Sequence, residues 1–181
     1  MAPPSGSLPS YADNVTLGIA ILAAGLALGA IAVIPLRPIR WLLWAALVAV
    51  IAVILWLTMG MAFHSSAGPH LNLVPFQEIR RGLESHGGAP EINLVGNVVL
   101  FVPVGALVAW LARRGRVLVG LAFGMLFSVA IELTQFGLGR VADIDDVILN
   151  TTGALVGAVF AVVWASAVRR RWAGYDEPAG L

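Results

Sequence analysis

The chain has 181 residues, 59% of them hydrophobic and 12% charged, with a formal net charge of +1 and a mean hydropathy of +0.90. That balance lies outside the soluble range and describes a small polytopic membrane protein, one bundle of packed helices. All 11 basic residues are arginines in short clusters beside apolar runs; such clusters belong to membrane topology, so no nucleic-acid partner is expected. The absence of cysteine excludes disulfides, thiolate nucleophiles and Cys-based metal sites.

Residues 1–14, MAPPSGSLPSYADN, lack the basic n-region of a signal peptide and read as a disordered tail. A first span is expected from about Val15 to Pro35, where Gly25 and Gly29 form a small-xxx-small pair of the kind that Ala/Gly-rich spans produce by chance. Arg37-Pro38-Ile39-Arg40 reads as a tight turn into a second span, about Trp41 to Phe63. Trp41 and Trp44 suit interfacial anchoring, whereas Trp56 lies deeper, where simple packing is the alternative.

The longest polar segment runs from His64 to about Glu91, with a short amphipathic helix from Gln77 to Ser85. Leu73, Phe76, Ile79 and Leu83 fall near helical spacing and suit a membrane surface. The third span, about Ile92 to Ala112, contains Pro103 and carries Asn93, Asn97, Phe101 and Gly105 on one face. After Arg113-Arg114-Gly115-Arg116, the fourth span runs from about Val117 to Leu138, with Gly120 and Gly124 as a close-packing pair. The fifth runs from about Asp146 to Val168 and is closed by Arg169–Arg171, leaving 169–181 as a cytoplasmic tail.

The expected fold is therefore an all-α, multi-pass membrane bundle of five spans: two N-terminal spans over 15–60, then a unit over 61–168 with a polar loop and three spans. If the N-terminus is outside, the inner side receives Arg37, Arg40, Arg113, Arg114, Arg116 and Arg169–Arg171, and the outer side Arg80, Arg81 and Arg140. The arginines thus favour N-out, C-in. Both polar loops then lie outside.

Polar residues concentrate between Ser128 and Gly157. A carboxylate at membrane depth costs roughly 2.5–3.5 kcal/mol on insertion scales, which makes Glu132 a functional-site candidate. Gln135 lies one turn further out on nearly the same face. Asp146, Asn150, Gly153 and Gly157 form one stripe on the fifth span, whose glycines would turn Asp146 and Asn150 into the bundle. Asp143, Asp145 and Asp146 stand where the N-cap of that span belongs. Arg140 suits an ion pair with Glu132 or Asp143. A shallow polar pocket between spans three, four and five follows.

Three ordered blocks carry a resemblance: NLVPF (Asn72–Phe76) followed by EIRR, NLVGNVVLFVPVG (Asn93–Gly105), and IELTQFGLGRVADIDDVILNTTGALVG (Ile131–Gly157). Over about Met61 to Val163 the chain resembles VanZ-like membrane proteins, named for an accessory protein associated with teicoplanin-type glycopeptide resistance. The resemblance implies a helical integral membrane protein of a bacterial cell envelope and no established reaction. By motif position it assigns the polar signature to Asn72, Pro75, Phe76, Asn97, Glu132, Gln135, Arg140, Asp143, Asp145, Asp146 and Asn150, with Glu78 in the EIRR block.

Two readings follow. In the first, a non-catalytic envelope protein uses those residues to bind a lipid or a lipid-linked or cell-wall ligand. In the second, a membrane enzyme acts on lipid or cell-wall precursors, with Glu132 as general base and Arg140, Asp143 and Asp145 as further catalytic candidates. In that reading the aspartates, with His64 or His70, would hold a divalent cation. Asp-x-Asp-Asp lacks the spacing of a calcium loop, however, and His64, His70 and His86 are loop residues, so no metal or cofactor is expected. Transport is a weaker third reading, because five spans show no inverted repeat.

Overall fold

Every third or fourth residue of the second span faces inward: Ile39, Leu43, Leu47, Val50, Ile54 and Leu57 are all buried, the stripe of a helix packed along one side. This helix, α1, spans Arg37–Gly60. In the computed structural model, which describes residues 37–60, 70–84 and 89–173, it is followed by a two-residue strand β1 (Leu71–Asn72) and a short helix α2 (Gln77–Glu84). Then come α3 (Ala89–Leu111), α4 (Arg116–Gly137), the strand β2 (Ala142–Asp143) and α5 (Ile144–Ala173). The expected first span, its Gly25/Gly29 pair, both extreme tails, His64 and His86 lie outside the described residues.

Among the described residues the chain is all-helical apart from one parallel bridge, Leu71 with Ala142 and Asn72 with Asp143. Four helices, α1, α3, α4 and α5, are long and apolar enough to cross a membrane. Boundaries move where helix-end chemistry decides them. Arg37–Arg40 is helix and not a turn, because Pro38 falls in the first turn, where no intrahelical N–H is lost. Helix α5 begins at Ile144 and carries Arg170 and Arg171 in its last turn, where cations offset the helix dipole; residues 169–173 are thus helix and not tail.

Helix α3 is central, with contacts to α1, α2, α4 and α5. Its closest partner is α5, because glycines remove the side chains between them. A methyl added at Gly105 would overlap the Ala154 backbone; at Gly153, the Val98 carbonyl; at Gly157, the Val102 carbonyl. Gly120 and Gly124 of α4 likewise admit Ala158 and Ala154. Lipid is as apolar as leucine, so helices in a bilayer gain most from such close van der Waals approach. Phe101, Val104, Leu107, Val108 and Leu111 of α3 complete the core against the α1 stripe.

Pro103 is fully buried inside α3 without ending it. Trp56 does not pack into the bundle: it is 59% exposed, as Trp41 and Trp44 are at 78% and 49%. Arg40 donates to the Leu111 carbonyl at 3.4 Å, placing the start of α1 beside the end of α3. The eight arginines expected inside therefore gather at one end of the bundle, and Arg80, Arg81 and Arg140 at the other.

Candidate ligand site at one end of the bundle

The site is built from the C-terminal end of α4. Gly120, Gly124, Ser128, Glu132 and Gln135 of that helix are buried, and the spacing of four puts the first four on one stripe. Past Gly137 the chain reverses through Gly139, whose φ of 83° is one that glycine adopts freely. The Arg140 amide returns to the Gln135 carbonyl at 3.0 Å. The chain then enters β2, where the Ala142 amide donates to the His70 carbonyl at 3.1 Å.

Asp143 organises this crossing. Its Oδ1 accepts the Asp145 amide at 2.8 Å, the N-cap bond of α5. Its Oδ2 accepts Asn72 Nδ2 at 2.8 Å, and its own amide donates to Glu132 Oε2 at 2.9 Å. Glu132 is buried, and the backbone bond answers the demand that a buried carboxylate find donors.

Asp145 departs from the expectation that it caps α5. It is fully buried and caps α2 instead. Oδ1 accepts the Phe76 amide at 2.6 Å, and Oδ2 accepts the Glu78 and Ile79 amides at 2.7 and 3.2 Å. A carboxylate there satisfies three orphan donors and meets the positive end of the helix. Phe76 reaches this geometry at φ 65°, a left-handed conformation costing a non-glycine residue roughly 1–2 kcal/mol. Pro75 and the Phe76 side chain are exposed in the same turn.

Deeper along α5, Asp146 Oδ1 accepts Asn97 Nδ2 at 2.5 Å, and Asn150 Nδ2 donates to Ser128 Oγ at 2.8 Å. The Asp146–Asn150–Gly153–Gly157 stripe thus faces α3 and α4 as its spacing predicts. Asn150 Oδ1 has no hydrogen-bond partner among the described residues.

Arg140 forms no ion pair with Glu132 or Asp143, contrary to expectation. Its Nη1 donates to the Thr58 carbonyl at 3.0 Å, and Gln135 Nε2 approaches the same oxygen at 3.5 Å. That carbonyl belongs to the last turn of α1, where carbonyls lack helical partners and cations are favoured.

A cavity of about 400 Å³ opens at this end. Asn72, Glu78 and Arg81 border it from the β1–α2 segment, Asn93 from α3, and Arg140, Asp143 and Asp146 from the α4–α5 crossing. Glu78 and Arg81 form a close ion pair. The residues singled out in the sequence divide around this cavity. Asn72, Glu78, Arg140, Asp143 and Asp146 line it. Glu132, Gln135, Asp145, Asn97, Asn150, Pro75 and Phe76 do not; five of these hold the wall or the bundle behind it through the bonds above. Arg81, His70 and Asn93, with the apolar Leu94, Val141 and Leu149, complete the lining, and Thr58 and Ser128 supply partners that the sequence reading missed. Ser128 was legible from its place in the Gly120–Gly124–Glu132 period; Thr58 acts through its backbone, which carries no side-chain signal. Among the described residues, no three acidic or histidine side chains gather as a metal site would need, since each aspartate answers a different donor.

Membrane-length helices that gather their buried polar side chains at one end define a small integral membrane protein. The family model described as VanZ/LLP1 matches residues 42–165, and the chain belongs to that family. The match takes in most of α1, whereas the motif blocks begin beyond it. No curated protein and no solved structure matches the chain.

Proposed function

We propose that this chain is a non-catalytic protein of the bacterial cell envelope. Its cavity faces outward and binds a lipid-linked or cell-wall-related ligand, which alters susceptibility to teicoplanin-type glycopeptides. The observation that carries the reading is the cavity itself: guanidinium, carboxylate and amide groups converge at the arginine-poor end of the bundle. Arginine-poor ends lie outside by the positive-inside rule. Family membership supports the envelope setting.

The enzymatic alternative with Glu132 as general base has less support. That carboxylate sits behind β2, engaged by the Asp143 amide, and does not border the cavity. The test is glycopeptide susceptibility of a host expressing wild type, Arg140→Ala or Asp146→Asn at matched membrane levels. Wild type is expected to shift susceptibility and both variants to lose the shift. No shift by wild type, or variants that behave like it, would overturn the reading.

A further inference from the structure

The charged groups bordering the cavity are not equivalent. Glu78 and Arg81 satisfy each other. Asp143 has both oxygens committed, to the Asp145 amide and to Asn72. Two groups keep unused capacity. Among the described residues Asp146 is held by Asn97 through Oδ1 alone, and Oδ2 accepts no hydrogen bond from them. Arg140 is held by a single neutral carbonyl. It has no carboxylate within 4.0 Å among the described residues, so most of its guanidinium donors remain. An anion and a cation thus stand in one cavity, each oriented by a neutral partner and not ion-paired with each other.

We propose that the cavity takes a dipolar head group bearing both a phosphate and an ammonium, with Arg140 on the phosphate and Asp146 on the ammonium. This rests on the ligand-binding reading above. Beyond the Glu78–Arg81 pair, a purely anionic ligand would meet Asp146 and Asp143, and a purely cationic one would meet Arg140; a ligand carrying both charges leaves neither opposed. Guanidinium matches phosphate through paired N–H donors, and a free carboxylate oxygen is the complement of an ammonium N–H. A volume of about 400 Å³ lies at the small end of ligand sites. Asn72 borders the cavity, and its neighbours Leu71, Leu73 and Val74 are 53%, 65% and 60% exposed. An apolar edge beside a polar cavity suits an amphiphile whose chains stay in the leaflet.

The test measures binding to the purified full chain in a non-ionic detergent with three probes: dihexanoyl phosphatidylethanolamine, dihexanoyl phosphatidylglycerol, and soluble phosphoethanolamine. The ethanolamine lipid is expected to bind wild type about tenfold more tightly than the glycerol lipid, and to lose about tenfold in either Arg140→Gln or Asp146→Asn. The glycerol lipid should weaken in Arg140→Gln and tighten in Asp146→Asn, which removes an opposed charge. Arg113→Gln, at the opposite end, should bind as wild type does.

Equal affinity of the two lipids for wild type overturns the proposal, and that comparison needs no variant to fold. Ethanolamine-lipid binding unchanged in a folded Asp146→Asn overturns it as well. If phosphoethanolamine matches its lipid, the dipolar assignment stands and the ligand is a solute. A susceptibility shift that depends on Arg140, together with equal lipid affinities, removes the head-group assignment and leaves the binding reading. Equal lipid affinities with no susceptibility shift by wild type remove both.

Discussion

The carboxylate of Asp145 accepts the amide of Phe76 at 2.6 Å across 69 positions of sequence. This bond and its two companions to Glu78 and Ile79 join the start of α5 to the start of α2. They make the polar loop part of the bundle. The wall of the cavity is thereby held from beneath: Asp145 positions α2, Asp143 positions β1 through Asn72, and Glu132 positions β2.

Asp145→Ala should leave three partly buried backbone donors unanswered, at up to about 1–3 kcal/mol for each group that water does not reach. The loss should be local. Amide hydrogen exchange at Phe76, Glu78 and Ile79 is expected to accelerate strongly while the middle of α3 keeps its protection. Asp145→Asn, which retains one acceptor oxygen, should fall between. Unchanged exchange at those three amides in the alanine variant would rule this out.

Glu132 separates a holding role from a catalytic one. A residue that accepts the Asp143 amide needs an oxygen and not a charge. Glu132→Gln should therefore keep the susceptibility shift, and Glu132→Ala should lose it through a freed β2. A general base has no substitute in glutamine. Loss of the phenotype in a correctly folded Glu132→Gln would restore the enzymatic reading.

The contact between α3 and α5 predicts opposite outcomes for two glycines. At Gly157 a methyl overlaps the Val102 carbonyl, whereas at Gly96 nothing lies within 4 Å. Gly157→Ala should destabilise by roughly 1–3 kcal/mol, the usual cost of overpacking. Gly96→Ala should be neutral or stabilise by up to about 1 kcal/mol through helix propensity. Thermal unfolding in detergent checks both, and equal midpoints for the pair would contradict the packing.

The lack of cysteine makes orientation directly measurable. Leu138→Cys, in the exposed turn after α4, should react with a membrane-impermeant maleimide in intact cells. Arg114→Cys, in the opposite turn, should react only after permeabilisation. The reverse pattern would place the cavity inside and remove the proposed envelope function.

The sequence by itself determined the helices and the polar set. About 20 apolar residues span a bilayer whatever surrounds them, so α1, α3, α4 and α5 were legible from length and hydropathy. Spacings of three and four placed Asp146, Asn150, Gly153 and Gly157 on one stripe, because helical geometry alone fixes which residues share a face. The motif blocks marked the residues of the site end. Their roles depended on the tertiary structure. Asp145 caps a helix 66 to 69 residues away, Arg140 meets a carbonyl 82 residues away, and Asn72 finds Asp143 across a two-residue bridge. A buried polar group bonds whichever donor or acceptor the packed backbone brings within about 3 Å. Local spacing does not specify that backbone's position, so only the folded bundle divides these residues into those that line the cavity and those that hold its wall.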